Sequence, residues 1–137
     1  MKLPAANAEF KTLSKQELHA LADALLSAEP NAIDYCAKFV VSETKGLWHG
    51  RARAMMCRRL KHCALSRNIR ASLLRCIIGR LQTGEFSEQF KDQLRLALHL
   101  DPKQTLSACQ EALLNAKPYV RRYAAWALAL PRGDNAA

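Results

Sequence analysis

Residues 46–81 read GLWHGRARAMMCRRLKHCALSRNIRASLLRCIIGRL and carry nine Lys and Arg side chains without one Asp or Glu. Apolar residues recur through the stretch at the spacing of one helix face, since successive residues of an α-helix lie about 100° apart. On a helix over residues 47–65 the cations fall on the arc opposite to this face. The stretch therefore predicts amphipathic helices. The apolar face of the helix over residues 47–65 holds Ala52, Met56, Leu60, Cys63 and Ala64.

Capping residues and prolines divide the whole chain into helices. Ser14 followed by Glu17 has the pattern of a capping box. No segment alternates apolar and polar residues as a half-buried strand does. The sequence therefore predicts an all-α fold of about seven helices, and the short connections favour antiparallel hairpins. The predicted starts and stops are Ser14, Pro30 with Asn31 and Asp34, Ser66 or Asn68, Gly84, Ser87, Asp101 with Pro102, Pro118 and Pro131.

Two of these segments begin alike. Residues 68–81 and 119–130 both have a β-branched residue at the second position followed by Arg, and then continue mostly with small and aliphatic residues. Residues 50–60 are a looser third copy. The pattern resembles the second helix of a HEAT-type repeat, and the resemblance covers about residues 47–131. It implies a short right-handed stack of HEAT- or armadillo-like hairpins, although the copies are more widely spaced than a usual repeat of about 40–47 residues. A non-repetitive helical bundle is the alternative architecture.

Length and composition indicate a single domain. A chain of 137 residues, half of them apolar, can bury a core without disulfides or a metal. The predicted division is an N-terminal arm (1–13), a helical core (14–131) and a C-terminal tail (132–137). The sequence shows neither the apolar run of a signal peptide nor a membrane-spanning stretch, so we expect a cytoplasmic protein.

The cysteines are five in number, without a CxxC pair, and lie among apolar helical residues. This pattern predicts reduced, buried thiols. Cys57, His62 and Cys63 come closest to a metal-binding pattern, but their spacing does not place three ligands on one helix face. We therefore expect no metal and no cofactor. The five thiols are those of Cys36, Cys57, Cys63, Cys76 and Cys109.

The positive charge is concentrated in one segment. Residues 44–84 hold ten Lys and Arg and no acid, so they carry +10, while the rest of the chain carries −1 of the formal net charge of +9. Arg outnumbers Lys in this segment, and the guanidinium group of arginine pairs bidentately with phosphates. The pattern predicts a surface that binds nucleic acid or another polyanion. The candidate contact residues are Trp48, His49, Arg51, Arg58, Arg59, Lys61, His62, Arg75, Arg121 and Arg122.

The same cations also allow a structural interpretation. The arginines can be solvated or paired with acids of neighbouring helices. Arg70 and Arg80 are a separate case, because they lie in or beside the apolar arc of their helix and must snorkel or find a carboxylate or carbonyl partner. The candidate acidic partners are Glu43, Glu85, Glu88 and Asp92.

Three functions fit these observations. The leading hypothesis is a non-enzymatic helical-repeat module that binds nucleic acid or another polyanion. The alternative is a protein–protein adaptor, or a self-associating scaffold, with an acidic partner. A more distant alternative follows from the resemblance, since some HEAT-like proteins are DNA glycosylases. Such an enzyme needs a carboxylate and aromatic residues in a basic cleft; Asp92 or Asp101 could supply the carboxylate, but nothing in the sequence singles them out.

The last helix indicates a contact between copies of the chain. Tyr123, Trp126 and Leu130 widen its apolar arc beyond what one neighbouring helix covers. These side chains either fold inward against the helix at residues 102–116 or form a patch that a second copy covers. We expect a homodimer with twofold symmetry through this end.

Overall fold

The computed structural model describes residues 13–42, 44, 48–86 and 89–131, and all regular structure in these ranges is helical. This confirms the predicted all-α class and the number of helices. Within the same ranges no helix is long and apolar enough to cross a membrane. The helices are α1 Lys15–Ala24, α2 Pro30–Val41, α3 His49–Leu60, α4 Arg67–Thr83, α5 Lys91–Leu100, α6 Pro102–Ala112 and α7 Pro118–Ala129, with a 3-10 turn at Leu25–Ser27.

Several predicted capping residues begin and end these helices. The Ser14 hydroxyl accepts the Glu17 amide (3.1 Å) and the Glu17 carboxylate accepts the Ser14 amide (2.9 Å), which completes the capping box. Ser66 caps α4 and Asp101 caps α6, each through a side-chain oxygen that accepts a first-turn amide. Gly84 ends α4 at a φ of 77°, a left-handed conformation that glycine adopts without strain.

The start of α2 differs from its prediction. Pro30 is the first residue of this helix rather than a stop before it, because proline lacks an amide hydrogen that the first turn would leave unpaired. The N-cap is Glu29, whose carboxylate accepts the amide of Asn31 (3.3 Å). Asn31 and Asp34 therefore lie inside the helix instead of capping it.

The end of α3 also differs. The helix stops at Leu60 rather than at residue 65, because the chain must leave helical geometry before Ser66 can cap α4. The predicted start of the next helix at Ser87 lies outside the described residues.

The helices form two layers. α1, α3, α5 and α7 lie side by side in the first layer, and α2, α4 and α6 lie side by side in the second. α1 and α3 run in the same direction, since Lys15 contacts Trp48 at one end and Asp23 contacts Arg59 towards the other. α5 and α7 also run in the same direction, since Phe90 contacts Tyr123 and Arg95 contacts Trp126. Each line of contact between neighbouring first-layer helices is termed a seam below. Short connections place α2 against α3, α4 against α5 and α6 against α7 as hairpins across the layers.

The core fills the space between the layers with aliphatic and aromatic side chains from facing helices. Full burial of one such side chain stabilises the fold by about 1.5–3 kcal/mol. The largest fully buried side chains of the core are Leu18, Leu21, Phe39, Val40, Met56, Leu60, Leu73, Ile77, Leu81, Phe90, Leu94 and Leu96.

Two arginines beside the apolar face of α4 bind oxygens at helix ends, as the sequence predicted. Arg70 Nη2 donates to the carbonyl of Leu100 (3.0 Å) at the end of α5. Arg80 donates through Nη1 to the side-chain oxygen of Gln93 (2.8 Å) and through Nη2 to the carbonyl of Ser42 (3.0 Å), just beyond α2. Helix C-termini attract cations, so these guanidinium groups hold α4 to its neighbours by favourable contacts.

Candidate basic surface

Cations from α1 and α3 surround Trp48 where these two helices begin. Lys15 Nζ lies 4.1 Å, and the guanidinium carbon of Arg51 lies 5.3 Å, from the centre of the indole ring. Both distances are typical of cation–π contacts. Lys15 and Arg51 are exposed, while Trp48 is half-buried. These three residues are termed the Trp48 cluster.

The backbone of Trp48 is in an unusual conformation. Its φ is 75°, in the left-handed region, and its side chain supplies no capping hydrogen bond to α3. A non-glycine residue held in this region costs on the order of 1–3 kcal/mol. Strain of this kind concentrates at binding and active sites, so the conformation favours a functional role for Trp48.

An ion cluster joins α3 to α5. Arg58 Nη1 lies 2.6 Å from Asp92 Oδ2, and Arg95 Nη1 lies 3.2 Å from Asp92 Oδ1. The Asp92 side chain is only 13% exposed, whereas both arginines are exposed. One largely buried carboxylate therefore fixes two arginines whose remaining N–H donors face solvent.

A second tryptophan repeats the arrangement at the α5–α7 seam. Lys91 Nζ lies 5.0 Å, and the guanidinium carbon of Arg95 lies 4.9 Å, from the centre of the Trp126 ring. These three residues are termed the Trp126 cluster. Because Arg95 also contacts Asp92, the α3–α5 and α5–α7 seams form one continuous surface. The contact residues predicted from the sequence did not include Lys15, Lys91 and Arg95, because these three lie outside the basic segment at residues 44–84.

Another group of cations lies where α3 and α5 end. Lys61 and His62 directly follow α3, His99 lies in the last turn of α5, and the bond from Arg70 to the Leu100 carbonyl brings Arg70 to the same place. Burial, and then repulsion from Lys61, Arg70 and His62, lowers the pKa of His99 below its ordinary value. These four cationic or titratable side chains are termed the end cluster. None of them pairs with a carboxylate of a described residue.

His49 does not lie on this surface, which corrects its assignment as a contact residue. It is 2% exposed, and its Nδ1 lies 2.9 Å from the Thr44 hydroxyl. The ring also packs against Phe39, with ring centres 5.4 Å apart. Burial is the main reason that the pKa of His49 is lowered, and repulsion from Arg53 adds to it. His49 is therefore a core residue.

Arg75 lies apart from the other predicted contact residues. It is exposed on α4, in the second layer, beside an open groove of about 400 Å³ that also touches Gln104 of α6. The structure thus separates Arg75 from the two tryptophan clusters of the first layer.

The two arginines near the start of α7 differ in their contacts. Arg121 Nη1 donates to the carbonyl of Asn115 (2.7 Å) and so braces the turn between α6 and α7. Arg122 is exposed and precedes Trp126 by four residues, which places both on one side of α7. Arg122 therefore extends the Trp126 cluster.

Arg53 belongs to the basic segment but not to the surface. It is 8% exposed, and its Nη2 donates to the carbonyl (2.5 Å) and the hydroxyl (2.6 Å) of Thr44. Its Nε has no hydrogen-bond partner among the described residues. Burial, and then repulsion from Arg80, lowers the pKa of Arg53 to about 10. Arg53 therefore holds Thr44 against α3 as part of the fold.

The structural interpretation of the arginines applies at two predicted contact residues. Asp92 pairs with Arg58, and it was one of the predicted partners. Asp23, which was not among them, pairs with Arg59 at 2.9 Å. Arg58 and Arg59 each keep further N–H donors, but a phosphate that bound either guanidinium group would share that group with the aspartate already paired to it.

The remaining predicted acids make no such pair within the described residues. Glu85 is exposed and forms no ion pair there, while Glu43 and Glu88 lie outside those residues. Asp101 accepts the Gln104 amide (3.0 Å) as the cap of α6. Both carboxylates considered for glycosylase chemistry, Asp92 and Asp101, are thus held by structural partners.

The residues predicted to contact a second copy pack within the chain. The Tyr123 ring meets Phe86 and Phe90 edge-on, with ring centres 5.1 and 5.9 Å apart. Trp126 lies under the cations of α5, and Leu130, at the end of α7, is half-buried. The aromatic rings therefore pack within the chain against α5 and the residues before it, because α7 lies beside α5 in the first layer.

The large apolar side chains that stay exposed in the described ranges are elsewhere. They are Leu26 and Leu114, at 70% and 88% exposure. The two lie in different turns and are separated in the sequence. The described ranges therefore lack the broad apolar patch on which the dimer prediction was based. The dimer itself stays a prediction.

The thiols fall into two groups. Cys36, Cys57 and Cys109 are buried, whereas Cys63 and Cys76 are half-buried, which corrects the expectation that all five are buried. Burial raises the pKa of Cys36 to about 12 and that of Cys109 to about 11, and it raises the pKa of Cys57 even further. All five are free thiols, and the described ranges contain no group of three His, Cys, Asp or Glu side chains placed to hold a metal ion.

Comparisons with known proteins give no match: no family model fits the chain, and no curated protein or solved structure is significantly similar to it.

Proposed function

We propose that this protein is a non-enzymatic binding module that holds nucleic acid, or another polyanion, against the outer face of its first layer. The observation that carries the proposal is the pairing of tryptophan and cations in two clusters on one continuous face. Such a face offers positive charge to phosphates and half-exposed rings to bases. The strained backbone of Trp48 supports the same role, because the fold gains no capping bond from it.

We also propose that the fold is a short HEAT-like stack. Two layers of helices that pack as successive hairpins support this architecture. In such a stack, equivalent helices of successive hairpins line one surface. Lys15 and Lys91, which are far from each other and from the basic segment in sequence, thereby join the cations of α3.

The dimensions of the face set the size of the ligand. Neighbouring helices pack about 8–10 Å apart, so the three seams span about 24–30 Å. A duplex advances about 3.4 Å per base pair, so about seven to nine base pairs cover this span. We expect affinity to rise steeply with duplex length up to about this size and more slowly beyond it.

The test compares two double variants that lose the same charges from different layers. Lys91→Gln with Arg95→Gln removes one Lys and one Arg from the Trp126 cluster. Lys103→Gln with Arg75→Gln removes one Lys and one Arg from the second layer, where both line grooves between α4 and α6. Binding of a fluorescent duplex is measured by anisotropy over a range of salt concentrations.

The first-layer variant is expected to bind more weakly and to lose about 0.9 from the log–log salt slope for each lost phosphate contact. The second-layer variant is expected to keep the affinity and slope of the unmodified protein. Equal losses in the two variants would mean that net charge, and not the first-layer face, binds the duplex. Absence of binding at low salt would overturn the proposal and favour the adaptor alternative.

A further inference from the structure

We propose that the end cluster is an acid-activated phosphate site, in which Lys61, Arg70, His62 and the protonated form of His99 hold one phosphate group. The inference rests on the proposed function, because the phosphate is taken to belong to the bound polyanion. The end cluster would add a phosphate contact to the first-layer face, and this contact becomes stronger when the site takes up protons.

The fold brings the four side chains together from three helices. α3 and α5 are neighbours, and the charges of Lys61 and His62, just beyond α3, act on His99 in the last turn of α5. Arg70 comes from the first turn of α4 and is anchored by its 3.0 Å bond to the Leu100 carbonyl. That bond uses Nη2, so the guanidinium group keeps other donors for a ligand.

The charge of the site depends on His99. Lys61 and Arg70 supply two positive charges, while the ends of α3 and α5 (about −0.5 each) are offset by the starts of α4 and α6 (about +0.5 each) that follow them. Protonation of His99 adds one more positive charge, and the site then attracts a phosphate more strongly.

Among the described residues, the groups around His99 supply no carboxylate that stabilises its charged form. From α3 and α4 it faces Lys61, His62 and Arg70, all of which repel its proton. The Asp101 carboxylate is turned to the Gln104 amide at the start of α6. The last part of α7, residues 123–129, carries no charged side chain.

Three other charges lie on α5 itself and do not change this balance. Lys91, at the opposite end of α5, contacts the Trp126 ring. Arg95 is one turn before His99 and adds positive charge, while Asp92 is held between Arg58 and Arg95. A bound phosphate therefore supplies the counter-charge that His99 lacks, and binding and protonation must strengthen each other.

The test measures duplex affinity at constant ionic strength at about pH 7.5 and about pH 5.5, the range over which histidine changes charge. The full chain is compared with His62→Gln plus His99→Gln, two exposed positions. The matched control is His19→Gln, which removes an exposed histidine of α1 that lies beside Asp23, outside the cluster. Circular dichroism at both pH values verifies that each variant is folded.

We expect acidification to tighten binding by about tenfold for a rise of one unit in the pKa of His99 in the complex. The double variant should lose this gain, while the His19 variant behaves like the unmodified protein. A gain that persists in the double variant would overturn the inference and leave the proposed function intact. Failure to bind duplex at either pH would overturn the proposed function itself.

The source of the phosphate is tested by NMR of the His99 ring. Its pKa is measured in the free protein, with inorganic phosphate, and with duplex. A rise with duplex is expected. A rise with inorganic phosphate but none with duplex would show that the site takes a free phosphate ion, contrary to the inference.

Discussion

Arg58 and Arg59 are adjacent in the sequence, yet they bind carboxylates on opposite sides of α3. Arg58 reaches Asp92 of α5, and Arg59 reaches Asp23 of α1. The divergence follows from the 100° turn between successive helical residues, which directs neighbouring side chains to different flanks. These two adjacent arginines of α3 thereby connect α3 to both α1 and α5.

The two ion pairs differ in burial, and this difference predicts unequal contributions to stability. Asp92→Asn should lower the free energy of unfolding by about 1–2 kcal/mol, because a largely buried carboxylate loses its charge beside two arginines. Asp23→Asn, at a more exposed position, should cost less than about 1 kcal/mol. Urea denaturation of both variants measures the difference. Equal losses would mean that burial of Asp92 adds nothing to its ion pairs.

Two glycines of α4 predict opposite effects of the same substitution. Gly79→Ala should stabilise the protein by about 0.5–1 kcal/mol, because alanine favours the helix interior. A Cβ at Gly79 meets no atom within 4 Å. Gly84→Ala should destabilise it by at least about 1–2 kcal/mol, because φ is 77° and alanine does not tolerate that region.

Steric contact adds to the cost at Gly84. A Cβ there would lie 2.7 Å from Lys117 Cδ and 2.8 Å from the Tyr119 hydroxyl, which donates to the Gly84 carbonyl. Thermal unfolding of the two variants should therefore shift the midpoint in opposite directions. A stable Gly84→Ala protein would show that the end of α4 is not held against α7 as described.

Acidification between about pH 7.5 and about pH 5.5 should lower stability in the absence of a polyanion. The pKa values of His49 and His99 are lowered from 6.5 in the folded protein, so the unfolded chain binds protons more readily in this window. Stability is therefore complete above the unfolded value of 6.5 and declines as pH falls below it. Denaturant midpoints should drop with pH, and His99→Gln should make the drop smaller. A midpoint that rises on acidification would contradict both shifts.

The thiols should react in an order set by burial. Cys63 and Cys76, both half-buried, are expected to react first with a thiol reagent in the native protein. Cys36, Cys57 and Cys109 should react only as the protein unfolds, because they are buried and their pKa values are raised, which keeps them protonated. Mass spectrometry of partly labelled protein identifies the sites. Rapid labelling of Cys57 would contradict its place in the core.

Local signals in the sequence predicted much of the fold. The capping box at Ser14, the cap at Asp101 and the left-handed Gly84 were correct because each depends on residues within a few positions, and Ser66 was one of two predicted caps of α4. Arg70 and Arg80 lie in or beside an apolar arc, so they were predicted to snorkel or to find a carboxylate or carbonyl partner, and both donate to carbonyls. The misplaced start of α2 arose because proline can either stop a helix or open one.

The seams were harder to predict because they depend on which helices become neighbours. Asp23 and Arg59 are 36 residues apart, and no local spacing indicates that they meet. Lys15 and Lys91 became part of the surface only through the layering of α1, α3 and α5. Arg53 was detectable in principle, since it precedes the buried Met56 by three residues and so falls near the core side of α3.

The unequal packing of the first layer implies unequal local unfolding. α5 touches α3, α4, α6 and α7, so its amides cannot open to water without disturbing both layers. α1 lies at the edge of its layer and can detach by exposing chiefly its own Leu18, Leu21 and Ala22. Slowly exchanging amide hydrogens should therefore concentrate in α5, and fast exchange in α1. The α1 side of the Trp48 cluster then opens transiently while the Trp126 cluster keeps its shape, so the two ends of one binding face differ in rigidity.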